Sequence, residues 1–299
     1  MEQRPSCTLV IDGGVDLPAG LAAEPGVHIV PLMVHFGNET FRSGVDITAE
    51  QFYRRLRERG EFPTTSQPSA GEYKAAYERA AEAGLPILSI HVSSGLSGSF
   101  NSARTAREML PHLDITLVDT RTLSGEMSMQ VMVALDQARR GVPVPEIKAA
   151  LEKLYQDSHL YFTIDKLDYL RKGGRIGRVA GAVGSLLGIR PIVTVDKSNG
   201  TYIPAGKARS FRRAIDEIAE KIIADVGEGK DVSVMIMQGD VPEEVARLKA
   251  VLEGRLKVVW FQQLHANPSL GAHIGPDALG VAYYPGALPL LSLEPVGVR

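Results

Sequence analysis

The chain has 299 residues, of which 44% are hydrophobic and 23% charged, with a formal net charge of −2 and one cysteine, Cys7. That is the composition of a folded globular protein long enough for two domains. The near-neutral charge gives no basic field for nucleic acid, and one thiol makes neither an internal disulfide nor a zinc cage, which points to a reducing, cytoplasmic setting.

Residues 1–6 carry mixed charge with no long apolar stretch behind them, unlike a secretory leader. The longest uncharged runs, 179–189 and 278–293, are too short or too broken by Pro285 and Pro289 to span a bilayer. In chain order, residues 8–12 read as a first strand meeting a turn, and 27–36 as a second extended run. Thr48 with Gln51 three residues on predicts a capped helix over 48–59. Ser69 and Glu72 repeat that spacing before a helix over 73–83, which Gly84 ends. Residues 86–92 read as a buried strand, 99–110 as a helix and 115–119 as a strand, followed by helices near 126–140 and 145–156. This alternation predicts an α/β layer with a mostly parallel sheet. A second α/β unit begins near His159, with strands at 160–164, 191–195, 202–205, 232–237 and 257–264. Its helices fall at 165–171, 179–187, 210–226 and 243–253, and 275–284 closes it. The expected division is therefore an N-terminal α/β domain over 1–158, a C-terminal α/β domain over 159–284 and an irregular tail over 285–299.

Three polar loops stand before helical segments: PTTSQPS at 63–69, SSGLSGS at 93–99 and RKGGRIG at 171–177. Helix starts offer unpaired N–H groups and a positive dipole end, so each loop suits a small anion. Each also has a plainer reading as a cap, a glycine turn or a solvated basic surface. The serine loop lacks the ending of a Walker A sequence, and it contains no Gly-x-Ser-x-Gly elbow. His273, in LGAHIGP, reads either as a structural histidine or as part of a pocket-lining turn.

These residues bring a family into view. From about Thr8 to Tyr283 the chain resembles the DegV family of bacterial fatty-acid-binding proteins. The matching pieces are 63–69, SSGLSGSFNS at 93–102, YLRKGGRIGRVAGAVGSLLGIRPI at 169–192 and HIGPDALG at 273–280. The resemblance implies two α/β domains of the DegV type, with a lipid-binding cleft between them. It implies a carrier that presents a long-chain fatty acid to a separate fatty-acid kinase, which makes an acyl phosphate for phospholipid synthesis. No cofactor, metal or nucleic acid is implied, and transient contact with a membrane surface is compatible with that role. Carried over by motif, Thr65 and Ser97 donate to the carboxylate and His273 contacts the same headgroup. Ser66, Ser94, Arg175 and Arg209 support the pocket or meet the partner, with Arg175 near the pocket mouth. The apolar segment 179–187 would help line the acyl chain.

The chain departs from the family pattern at Asp12-Gly13-Gly14-Val15-Asp16, where a serine usually follows the first Asp, at Thr120 and Arg121, and at Asp277. Two other readings stay open. One is a regulatory or transport protein for another small anionic lipid. The other is a hydrolase or phosphotransferase with Ser97 as nucleophile and His273 as base.

Overall fold

The computed structural model describes residues 4–177, 179, 181 and 188–290. The expected helix at 179–187 therefore lies outside the described residues, apart from Val179 and Gly181, and so does the tail from 291 onward.

The expected α/β character holds. A four-stranded sheet has the order β2-β1-β6-β7, all parallel, from β1 (Thr8–Asp12), β2 (Val27–Val30), β6 (Ile87–His91) and β7 (Ile115–Asp119). Residue Leu9 pairs with Val27 on one side and Leu88 on the other. Every residue of β1 and β6 is buried, as expected of central parallel strands covered on both faces. Alternation along β1 sorts its side chains: Val10 packs with Tyr73, Tyr77 and Ala103 from helices α3 (Ala70–Ala81) and α4 (Ser99–Glu108). Leu9 and Ile11 face the opposite core, with Met127 and Val131 of α5 (Ser124–Arg139).

Helix α5 is buried along nearly its whole length. Its sequence GEMSMQVMVAL carries no solvated stripe, the pattern of a helix enclosed by other layers. The layer beyond it is a six-stranded mixed sheet, order β10-β9-β8-β13-β11-β12. Its strands are β8 (His159–Ile164), β9 (Arg190–Val195), β10 (Tyr202–Ala208), β11 (Asp231–Gln238), β12 (Lys257–His265) and β13 (Ala278–Pro285). Met235 and Met237 of β11 join the core of α5, whereas Val232, Val234 and Ile236 face the helices Phe211–Val226 and Pro242–Arg255. At Gly125 the helix meets β11 so closely that a Cβ would stand 2.2 Å from Met237 Sδ. Burying each Met, Val or Leu of this shared core contributes about 1.5–3 kcal/mol.

Helix α6 (Val144–Asp157) packs beside α5. Both expected capping boxes form: Thr48 with Gln51 before α2 (Ala49–Arg59), and Ser69 with Glu72 before α3. Three expectations change. The run 27–36 is two strands, because Pro31 has no N–H to continue the ladder; β3 (Met33–Phe36) leaves for another sheet. That sheet, order β4-β3-β5, is antiparallel and adds β4 (Glu39–Arg42) and β5 (Thr64–Ser66), so the centre of the first polar loop is a strand. His273 lies not in a turn but on the short helix Pro268–Ile274.

Candidate functional site

Four distant segments converge between the two larger sheets. Strand β5 delivers Thr65: Val34 pairs with Thr65, and the exposed–half-buried–exposed pattern of Thr64, Thr65 and Ser66 turns the middle side chain inward. The loop after β6 delivers Ser97. Ser93 Oγ donates to Gly200 O at 2.7 Å, so this loop is tied to the turn between β9 and β10. The loop after helix α7 (Asp168–Lys172) delivers Arg175.

The helix Pro268–Ile274 delivers His273. Asn267 caps it, accepting from Ser269 N and Leu270 N, while Asn267 N donates to Asp16 Oδ1 at 2.8 Å. Ala272 of that helix packs with Val34, Phe52 and Tyr53, which seats the C-terminal helix against the N-terminal half of the chain.

Thr65, Gln67, Ser97, Arg175 and His273 line one cavity of about 450 Å³. A second cavity of about 480 Å³ adjoins it, walled by Leu160, Phe162, Met237, Ile274 and Leu279. The two share Leu123, Tyr202, Leu270 and His273, so the cavity of the polar side chains and the apolar one stand on either side of common wall residues.

His273 Nε2 lies 2.8 Å from Thr65 Oγ1. Its Nδ1 is buried and has no hydrogen-bond partner among the described residues. A bare ring nitrogen is tolerated there more readily than an orphaned N–H, so the proton belongs on Nε2, donating to Thr65. Thr65 then keeps its own proton for an anion in the cavity. Arg175 donates through Nη1 to Gly173 O at 2.6 Å and through Nε to Leu96 O at 3.4 Å, and its other guanidinium N–H groups engage none of the described residues.

Burial, and after it the charge of Arg175, push His273 down to about 4. The imidazole is therefore neutral at ordinary pH. With the folded value below the ordinary 6.5, the folded state binds fewer protons between the two. The stability from the neutral ring is complete above 6.5 and is lost as pH falls to about 4, at most roughly 3 kcal/mol. Urea unfolding should thus show wild type losing more stability from pH 7 to pH 4 than His273→Gln. The buried acids Asp16 and Glu126, pushed up by burial to about 6 and about 7, act with the opposite sign but equally in both proteins. An unchanged difference would contradict the assignment of a neutral ring.

The structure brings together Thr65, Ser97, Arg175 and His273. Arg175 stands in the wall of the cavity, held there by its two carbonyl bonds. Ser66, Ser94 and Arg209 line neither cavity: Ser66 Oγ bonds His35 Nε2, Ser94 Oγ donates to Asp119 Oδ2, and Arg209 is exposed. Ser97 Oγ pairs with Ser99 Oγ at 2.9 Å, and among the described residues no hydrogen bond joins it to His273, so the nucleophile–base pair does not form here. No described group of His, Cys, Asp and Glu could hold a metal ion, and no described helix is long and apolar enough to cross a membrane. Sequence reasoning missed Tyr202, Leu123 and Leu270, which carry no local signal, whereas Gly173 belongs to the 171–177 loop already singled out. That glycine packs so closely on His273 that a Cβ would stand 2.2 Å from Nδ1.

A family model described as an uncharacterised protein of the DegV family matches residues 6–286. A DegV domain-containing protein of Deinococcus radiodurans is 39% identical, covering 97% of this chain and 99% of its own. A solved structure described as the fatty acid binding of a DegV family protein from Thermus thermophilus is 32% identical, with a TM-score of 0.85, covering 93% of this chain and 99% of its own. DegV of Bacillus subtilis, described as a fatty acid binding protein, is 28% identical with a TM-score of 0.84, covering 94% and 99%. With the family model matching nearly its full length and a curated relative at 39% identity, the chain belongs to the DegV family.

Proposed function

We propose that this protein binds one long-chain fatty acid, with the carboxylate held by Thr65, Ser97, Arg175 and His273 and the acyl chain in the adjoining apolar cavity. What carries this reading is the adjacency of the two cavities, which share Leu123, Tyr202, Leu270 and His273 as wall residues. A carboxylate taken out of water needs several donors, and its alkyl chain gains about 0.8 kcal/mol for each CH₂ buried. The fatty acid binding described for the relatives from Thermus thermophilus and Bacillus subtilis supports the same ligand.

In this reading the protein is a cytoplasmic carrier and not a catalyst. A separate fatty-acid kinase transfers the terminal phosphoryl group of ATP to the bound carboxylate, giving acyl phosphate and ADP for phospholipid synthesis. The α/β units on either side of residue 158 act as the two jaws of the lipid site. Exposed Arg209, with Ser66 and Ser94, belongs to the outer surface that such a partner would meet.

Denaturing extraction of protein purified from a bacterial host, followed by mass spectrometry, should release a single fatty acid per chain. Protein that is empty and also refuses added fatty acid would end the proposal. Thr65→Ala and Ser97→Ala should each weaken binding by about 1.5–3 kcal/mol, the worth of one hydrogen bond to a charged group, with little change in melting temperature. Titration with a fluorescent fatty acid measures this, and competition with other anionic lipids separates a fatty-acid carrier from a binder of lipids in general.

A further inference from the structure

A separate cavity of about 890 Å³, partly open to solvent, lies between edge strand β7 and helices α4, α5 and α6. It shares no lining residue with either part of the lipid site except through chain continuity: Arg121 borders it, and Leu123 of the same turn borders the lipid cavities. Gln130 of α5 is in its wall. That residue is 1% exposed, sits among Met127, Met129, Val131 and Val133, and its Nε2 has no hydrogen-bond partner. The amide makes no hydrogen bond to any described residue. A leucine would fill that place without the cost of about 1–3 kcal/mol for an unmet buried polar group.

The charges around the amide are unequal in their engagement. Asp119 already accepts from Ser94 N, Ser94 Oγ and Arg121 N, and Glu152 faces Arg121 Nη2 at 3.5 Å. Lys148 lines the same cavity, exposed and with no ion pair among the described residues. Phe100 and Leu151 give apolar wall. Arg121 is held in the left-handed region at φ 51, a backbone cost that persists only where the surroundings enforce it.

We propose that this cavity is a second ligand site, for a small anionic molecule that carries an amide or lactam edge. Such an edge presents a donor and an acceptor side by side and satisfies both ends of the Gln130 amide at once. The anion meets the Lys148 ammonium, and the body of the molecule rests on Phe100 and Leu151.

Calorimetric titration of the full chain tests this with two probes, uridine 5′-monophosphate and N-acetylglycine, and inorganic phosphate as the bare anion. At least one probe should bind once per chain, and Gln130→Leu and Lys148→Ala should each weaken it by about tenfold. Fatty-acid content should be unchanged in both variants, since neither residue lines the lipid cavities. Lys148 is exposed, so its variant remains informative if Gln130→Leu folds poorly. Three results overturn the proposal: neither probe binds, phosphate binds as tightly as the probes, or binding survives Gln130→Leu undiminished.

Discussion

Gly173→Ala should weaken fatty-acid binding by about tenfold to a hundredfold and should cost about 1–3 kcal/mol of stability, the usual cost of one overpacked methyl. Gly173 has ordinary helical dihedrals, φ −74 and ψ −8, so alanine meets no backbone strain there. The effect is steric. The new methyl would stand 2.2 Å from His273 Nδ1 and 3.0 Å from Tyr169 O, and the ring has to turn away. Turning it breaks the 2.8 Å contact between Nε2 and Thr65 Oγ1, which under the proposed function directs the threonine proton at the carboxylate. Because both substitutions act on one group, adding His273→Ala to Gly173→Ala should cost little beyond the single change. Titration of the two single variants and the double variant measures this. Wild-type affinity in Gly173→Ala would remove His273 from the grip.

Asp16→Ala should destabilise the protein by about 3 kcal/mol, the largest stability loss expected from a single polar substitution here. Asp16 is 3% exposed and accepts from Ser124 Oγ at 2.5 Å, Asn267 N at 2.8 Å and Asn267 Nδ2 at 3.0 Å. Removing the carboxylate strands donors from α5 and from the cap of the histidine helix together. The same helix start is tied to the N-terminal half by Ser269 N donating to Ser43 Oγ and Ser269 Oγ donating to Gly13 O. Asp16→Ala should therefore lower lipid affinity as well, through the position of His273. Chemical denaturation followed by circular dichroism, with lipid titration on the same samples, checks both effects. A variant as stable as wild type would mean that water replaces the lost acceptor.

The periodic parts of this structure were legible in the sequence. Residues 8–12 and 115–119 are strands with the expected limits, and both capping boxes form, because these features depend on neighbours within a few residues. The β5 strand was not legible. Three residues between two prolines have no period of their own, and they become a strand only by pairing with Met33, Val34 and His35. The helix of His273 is likewise short, and its place is set by Asp16, Ser43 and Tyr53, more than two hundred residues away in sequence. Motif likeness identified Thr65, Ser97, Arg175 and His273 without saying how they meet. Tyr202, on a strand with no distinguishing neighbours, was invisible until the sheet was assembled. Gln130 was hidden for a different reason: it is one of several buried polar residues on a helix enclosed on all sides, and no local spacing sets it apart from Glu126, Ser128 or Asp136.

The convergence of residues 65, 97, 175 and 273 also has a consequence for biosynthesis. Chains emerge from the ribosome N-terminus first, at about 5–20 residues per second. The four-stranded sheet is complete once residue 119 has emerged, but the histidine helix and β13, which borders the apolar cavity, belong to the last stretch of the described chain. A nascent or prematurely terminated chain therefore has no closed lipid site and, under the proposed function, cannot withdraw fatty acid from the cell's pool. Loading is confined to finished molecules, so the amount of cargo carried follows the number of completed chains and not the number being made.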